Sequence, residues 1–124
     1  MRKIKVPNKY FADFVRGYLD GDGNINVYQD DYNARKHQNE KYVYWRLYVR
    51  FYSANRPFLK WLQGRIKRLA SVQGRIVDSG SRAYAIQYAK KESLVLLPWL
   101  YYHPGVPCLE RKRAQYHYFL TKID

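Results

Sequence analysis

The sequence predicts an α+β domain: one four-stranded antiparallel sheet with helices on one face and the other face left free. Three observations predict it. Apolar residues recur at a helical period near 3.6 in some segments and strictly alternate in others. The segments come in the order helix, two strands, helix, two strands, helix, helix, which favours two hairpins sharing one sheet. The 124 residues make one domain spanning 1–124 and leave no room for a second ordinary one.

From Asn8, the residues Phe11, Phe14, Val15, Tyr18 and Leu19 fall on one helical face, with Asn8 as the N-cap. The helix should cover about 8–21 and stop at Gly21 or Gly23, because Asp20-Gly21-Asp22-Gly23 joins poor helix formers to residues tolerant of positive φ. Asn24 to Tyr28 alternates as a strand, and polar, aperiodic Gln29 to Lys41 reads as a loop. A long alternation, Tyr42 to Tyr52, places Val43, Trp45, Leu47, Val49 and Phe51 on the core face. Tyr44, Arg46, Tyr48 and Arg50 take the other face. Asn55 caps a second helix with Pro57 in its first turn; Phe58, Leu62, Ile66 and Leu69 face inward, and Lys60, Arg65, Lys67 and Arg68 outward. Gly74–Val77 and Arg82–Tyr88 flank the turn Asp78-Ser79-Gly80-Ser81. A short helix from about Glu92 to Tyr101 should break or restart at Pro98. After the Pro104–Pro107 loop, a last helix runs from about Leu109 to Leu120.

Charge points to the partner. The net charge is +13 and aromatic residues reach 18%, which favours a polyanion, with nucleic acid first among them. Arginine holds phosphates while tyrosine stacks on or hydrogen-bonds to nucleotides. A structural, ribosome-associated binder is the blander alternative. No apolar run approaches the length of a membrane span, and no apolar signal core follows the charged N-terminus, so an intracellular protein is expected. One cysteine, Cys108, makes neither an internal disulfide nor a cysteine-rich zinc site. His37, His103 and His117 lack ligand spacing and read as loop or surface residues.

The acidic turn is the sharpest local feature. Asp20 and Asp22 sit at a helix C-terminus, the end that already carries partial negative charge, so a cation there would relieve repulsion. A calcium loop does not fit: its sixth position would be Ile25, inside a strand, and its twelfth Asp31. A helix cap explains the glycines but not the paired acids. The segment Val15-Arg16-Gly17-Tyr18-Leu19-Asp20-Gly21-Asp22-Gly23 resembles the nine-residue motif of the LAGLIDADG homing endonucleases. It matches at Gly17, Leu19, Asp20, Asp22 and Gly23, with Gly21 in a small-residue slot. Arg16 departs from the motif's alanine and is taken as a tolerated surface variant. The predicted element order also resembles that family's αββαββα domain over nearly the whole chain.

Gly17 and Gly21, four residues apart, form a smooth stripe where a second backbone can approach; Gly17 in mid-helix otherwise costs about 1 kcal/mol relative to alanine. With one motif and no internal repeat, the resemblance implies a homodimer joined through Gly17, Asp20 and Gly21. It implies a site-specific endonuclease that cuts a long near-palindromic duplex with Mg²⁺ (or Mn²⁺), leaves 3′ overhangs, and serves intron or intein homing. Asp22 and the Gly21 carbonyl then hold metal, which activates water and neutralises the leaving oxygen. Asp20 caps the partner helix or orders the turn. A basic residue from Arg111-Lys112-Arg113 approaches the scissile phosphate, and Lys112 is favoured as catalytic. The free sheet face reads DNA through Asn24, Asn26, Tyr28, Tyr44, Arg46, Tyr48, Arg50, Arg75 and Gln87, with Arg35 and Lys36 extending the footprint. The alternative is a non-catalytic intron RNA maturase or DNA-binding relative.

Overall fold

The computed structural model describes residues 5–30 and 44–123. Among the described residues, four α-helices and four strands follow the predicted order: α1 (Phe11–Asp22), β1 (Gly23–Asp30), β2 (Tyr44–Ser53), α2 (Arg56–Ala70), β3 (Arg75–Gly80), β4 (Ala83–Tyr88), α3 (Lys90–Leu100) and α4 (Glu110–Leu120). The strands form one antiparallel sheet in the order β1-β2-β4-β3. Leu47, Val49 and Phe51 of β2 and Ile86 and Tyr88 of β4 are fully buried beneath the helices. Trp45 is only partly buried at the rim of that core, and Val43 lies outside the described residues. The helices complete the core with Leu19 of α1, Leu62 and Ile66 of α2, Leu96, Leu97 and Leu100 of α3 and Phe119 of α4.

Several boundaries differ from the sequence reading, each for a local reason. Asn8 does not cap α1: it opens a short 3₁₀ turn, Asn8–Tyr10, and its side-chain oxygen accepts instead from Arg65 Nη2 at 2.8 Å. The end of α1 does not use positive φ. Gly21 stays helical and Gly23 is extended, with φ −119° and ψ −177°. Gly23 is required by space, because a Cβ there would lie 2.8 Å from the Leu19 Cα. Gln29 and Asp30 belong to β1 rather than to a loop.

Asn55 caps α2 as expected, its side chain accepting from the Phe58 N–H at 3.0 Å. The β3–β4 turn sits one step later than predicted. Strand β3 reaches Gly80 through an irregularity near Asp78, and Ser81 and Arg82 make the turn with φ of 47° and 62°. That double left-handed pair suits the right-handed twist of a hairpin. Helix α3 passes through Pro98 without a break. Proline costs a helix interior about 3 kcal/mol, but buried Leu96, Leu97 and Leu100 anchor both sides of it and outweigh the loss.

Candidate functional site

The sheet's free face is built from the polar half of each alternation. On β1, Asn24, Asn26 and Tyr28 are exposed while Ile25 is buried. Registration then lines side chains into rungs across the strands. One rung is Asn24 (β1), Arg50 (β2), Gln87 (β4) and Arg75 (β3); the next are Asn26 beside Tyr48 and Tyr28 beside Arg46, and Asp30 beside Tyr44 ends the face. All nine strand residues expected to read a ligand therefore share this face. Arg35 and Lys36 lie outside the described residues.

The face is ordered by its own contacts. Arg50 Nε donates to Gln87 Oε1 at 2.9 Å, and its guanidinium lies 4.7 Å from the centre of the Tyr48 ring. Tyr48 stacks on Tyr28, with centroids 6.2 Å apart and planes 14° from parallel. Burial and the neighbouring Tyr48 push the Tyr28 phenol up. Arg46 Nε and Nη2 both reach Asp30 Oδ2, at 3.1 and 3.0 Å. Sequence reasoning missed Asp30 by assigning it to a loop. The signal was present: Asn24, Asn26, Tyr28 and Asp30 continue one period-2 series.

Beside β1, the C-terminus of α1 forms the second part of the site. Asp22 is exposed and makes no hydrogen bond or ion pair with the described residues, and Gly21 is exposed next to it. Lys112 of α4 reaches across to this end, its Nζ donating to the carbonyls of Leu19 (2.6 Å), Asp20 (3.0 Å) and Gly23 (2.7 Å). Three carbonyls take all three ammonium hydrogens. Burial lowers the Lys112 pKa, opposed by the negative charges of Asp20 and Asp22. Neither neighbouring cation shares this position: Arg111 is exposed, and Arg113 bonds Glu110 and the Pro104 carbonyl. Asp20, expected to cap a partner helix or order the turn, bonds within its own chain: its Oδ2 accepts from the Leu109 N–H at 3.0 Å and so fastens the start of α4. Its Oδ1 is buried with no hydrogen-bond partner among the described residues.

The outward side of α1 carries Gly17 and Gly21, both exposed, and a Cβ at either would meet no described atom within 4 Å beyond its chain neighbours and the backbone of its own helix. Arg16 corrects the sequence reading most directly. It is no surface variant but only 4% exposed. Its Nε donates to Pro107 O (2.8 Å), Nη1 to Leu100 O (2.9 Å) and Nη2 to Asp13 Oδ1 (2.8 Å). Asp13 also accepts from Tyr102 Oη at 2.7 Å, and that bond, followed by Arg16, holds its carboxyl below the usual range. His103 and His117 are exposed, as expected, and His37 is outside the described residues.

No protein-family model matches the sequence, and no curated protein matches it. Solved structures do. An archaeal intron-encoded homing endonuclease, I-Vdi141I, complexed with DNA, is 16% identical with a TM-score of 0.61, covering 82% of this chain and 60% of that one. The chain has the fold of the LAGLIDADG homing endonucleases. I-CvuI in complex with the I-CreI target in the presence of Mg is 17% identical, with a TM-score of 0.58 over 87% of this chain and 62% of that one. The LAGLIDADG homing endonuclease I-LtrWI bound to target DNA is 16% identical, with a TM-score of 0.66 over 93% of this chain and 37% of that one. This chain thus spans about three fifths of the first two and little more than a third of I-LtrWI.

Proposed function

We propose that the chain is a site-specific double-strand DNA endonuclease that acts as a homodimer on a near-palindromic site, uses Mg²⁺ or Mn²⁺, and serves intron or intein homing. The observation that carries this reading is the meeting of the Asp22 carboxylate, which bonds none of the described residues, with an ordered arginine and tyrosine sheet face. A nucleic-acid ligand on that face would lie beside the acid.

The donors fit a hard cation: the Asp22 carboxylate and the Gly21 carbonyl are both oxygen ligands. Among the described residues no three acids, histidines or cysteines cluster, so one chain supplies an incomplete donor set. A second Asp22, brought by α1 helices packed along the open Gly17–Gly21 stripe, would complete it. A bound divalent ion supplies an activated water and neutralises charge on the phosphate. The chain's own groups do the rest. Arg50 and Arg75 hold and orient the duplex, while Arg46 presents its guanidinium and Asn24, Asn26 and Gln87 their amides to base edges. Lys112 is assigned a positioning role: it pins the turn that carries Gly21 and Asp22 and leaves its charge beside the reacting phosphate.

The test is cleavage of a randomised duplex library in Mg²⁺, with Ca²⁺ and Asp22→Asn as controls. One long near-palindromic site with 3′ overhangs, lost in Asp22→Asn while binding persists, is the expected result. Wild-type cutting rates in Asp22→Asn would refute the metal assignment. Tight, salt-sensitive binding without cutting would instead support the maturase or non-catalytic alternative.

A further inference from the structure

A second basic surface lies on the opposite side of the domain from the sheet's free face. Helix α2 buries Phe58, Leu59, Leu62 and Ile66 against the sheet, so Lys60, Lys67 and Arg68, all exposed, point away from it. Gly64 lies between them with nothing within 4 Å of a would-be Cβ, leaving a shallow open depression floored partly by Trp61. Neither residues 54–77 nor residues 1–12 contain an acid. Arg65 fastens these two segments together: Nη2 donates to Val6 O (2.9 Å) and Asn8 Oδ1 (2.8 Å), and its guanidinium lies 4.2 Å from the centre of the Phe11 ring. Exposed Lys5 thereby joins the same side.

Helix stability alone does not account for this. Cations in the last turn complement the helix dipole, which covers Lys67 and Arg68. It does not cover Lys60, nor the missing acids that would normally pair with them at i, i+4. From Lys60 to Arg68 is eight residues, about 12 Å along a helix, close to the roughly 12 Å width of a B-DNA major groove. We propose that this outer face of α2 is a second, sequence-independent site for the phosphate backbone of duplex DNA, taking a different stretch of duplex from the one on the sheet.

The inference does not rest on the cleavage reading, because binding alone tests it. The probe is a fluorescein-labelled 16-base-pair duplex of mixed sequence, followed by anisotropy at several salt concentrations. The sheet-face variant Arg46→Ala/Arg50→Ala/Arg75→Ala should still bind it. Three phosphate contacts give a log–log salt slope of about −2.7, a loss of roughly 40-fold in affinity between 50 and 200 mM salt. Adding Lys60→Glu, Lys67→Glu and Arg68→Glu should abolish that residual binding, with circular dichroism and Tm showing the fold intact. The proposal is overturned if the sheet-face variant binds no duplex, or if charge reversal on α2 leaves affinity and slope unchanged. A tenfold preference for an RNA duplex of the same length would overturn the assignment to DNA. Library cleavage by the α2 variant is scored separately, so failure here leaves the endonuclease reading standing, and the reverse.

Discussion

Replacing Arg16 with alanine should be among the most damaging single changes in the chain. The guanidinium bridges α1 to the Leu100 and Pro107 carbonyls, at 2.9 and 2.8 Å, at the two ends of the segment linking α3 to α4. Removing a charged donor leaves each carbonyl short of a partner, at about 1–3 kcal/mol apiece. The Asp13 ion pair adds little, since the Asp13 side chain is 37% exposed and surface pairs are screened. A loss of about 2–6 kcal/mol follows, against a total stability of about 5–15 kcal/mol for a domain. With a urea m-value near 2 kcal/mol/M, the midpoint should fall by about 2 M at unchanged m. Arg16→Lys should recover only part of this, because an ammonium cannot span the fork that reaches all three acceptors. Equilibrium urea unfolding of the three proteins decides it: a midpoint shift under about 0.5 M for Arg16→Ala would mean that Arg16 only covers the surface, as its motif position alone implies.

The remaining predictions concern the proposed interfaces and pH. Gly17→Ala should stabilise the dissociated chain by up to about 1 kcal/mol, since its Cβ meets nothing and alanine favours helix, yet weaken the dimer; sedimentation and urea melts at low concentration should move in opposite directions. Arg46→Ala should cost about 1–3 kcal/mol of binding at one base position per half-site, and Asp30→Asn should weaken discrimination at that same position by unfixing the guanidinium; a uniform loss across sequences would make Arg46 a phosphate contact. The depressed pKa of Asp13 stabilises the fold fully above the ordinary aspartate value near 3.8 and is lost as pH falls through the folded-state value. The Tm gap between wild type and Asp13→Asn should therefore be constant near neutral pH and shrink in acid, whereas a gap independent of pH would locate the effect elsewhere.

What could be read from the sequence was whatever repeats with a fixed period. Helical and alternating patterns placed every element, and parity alone put Asn24, Tyr48, Arg50 and Gln87 on one face. Steric and long-range facts were out of reach. Pro98 stays helical because of leucines that meet partners from other elements, and Gly23 is needed for contact with Leu19 rather than for its dihedral freedom. Arg16 shows the limit most clearly. In a motif its slot belongs to a small residue, and a charged substitute there reads as surface, because nothing local announces the Leu100 and Pro107 carbonyls more than eighty residues away.

Those distant contacts connect the two halves of the candidate site. Arg16 holds both ends of the α3–α4 connection, Asp20 fastens the Leu109 N–H at the start of α4, and Lys112, one turn into α4, returns to the carbonyls at the end of α1. The loop closes on itself: helix to connection, connection to helix, helix to turn. The Asp22 carboxylate at that turn gains a fixed position without a side-chain bond to any described residue, which is what the proposed metal-binding role requires of it. Loss of Arg16 should therefore reach the turn through α4. A destabilised but folded Arg16→Lys should lose more cleavage than binding, because the sheet shares only one of these contacts, the bond from Lys112 to the Gly23 carbonyl at the start of β1.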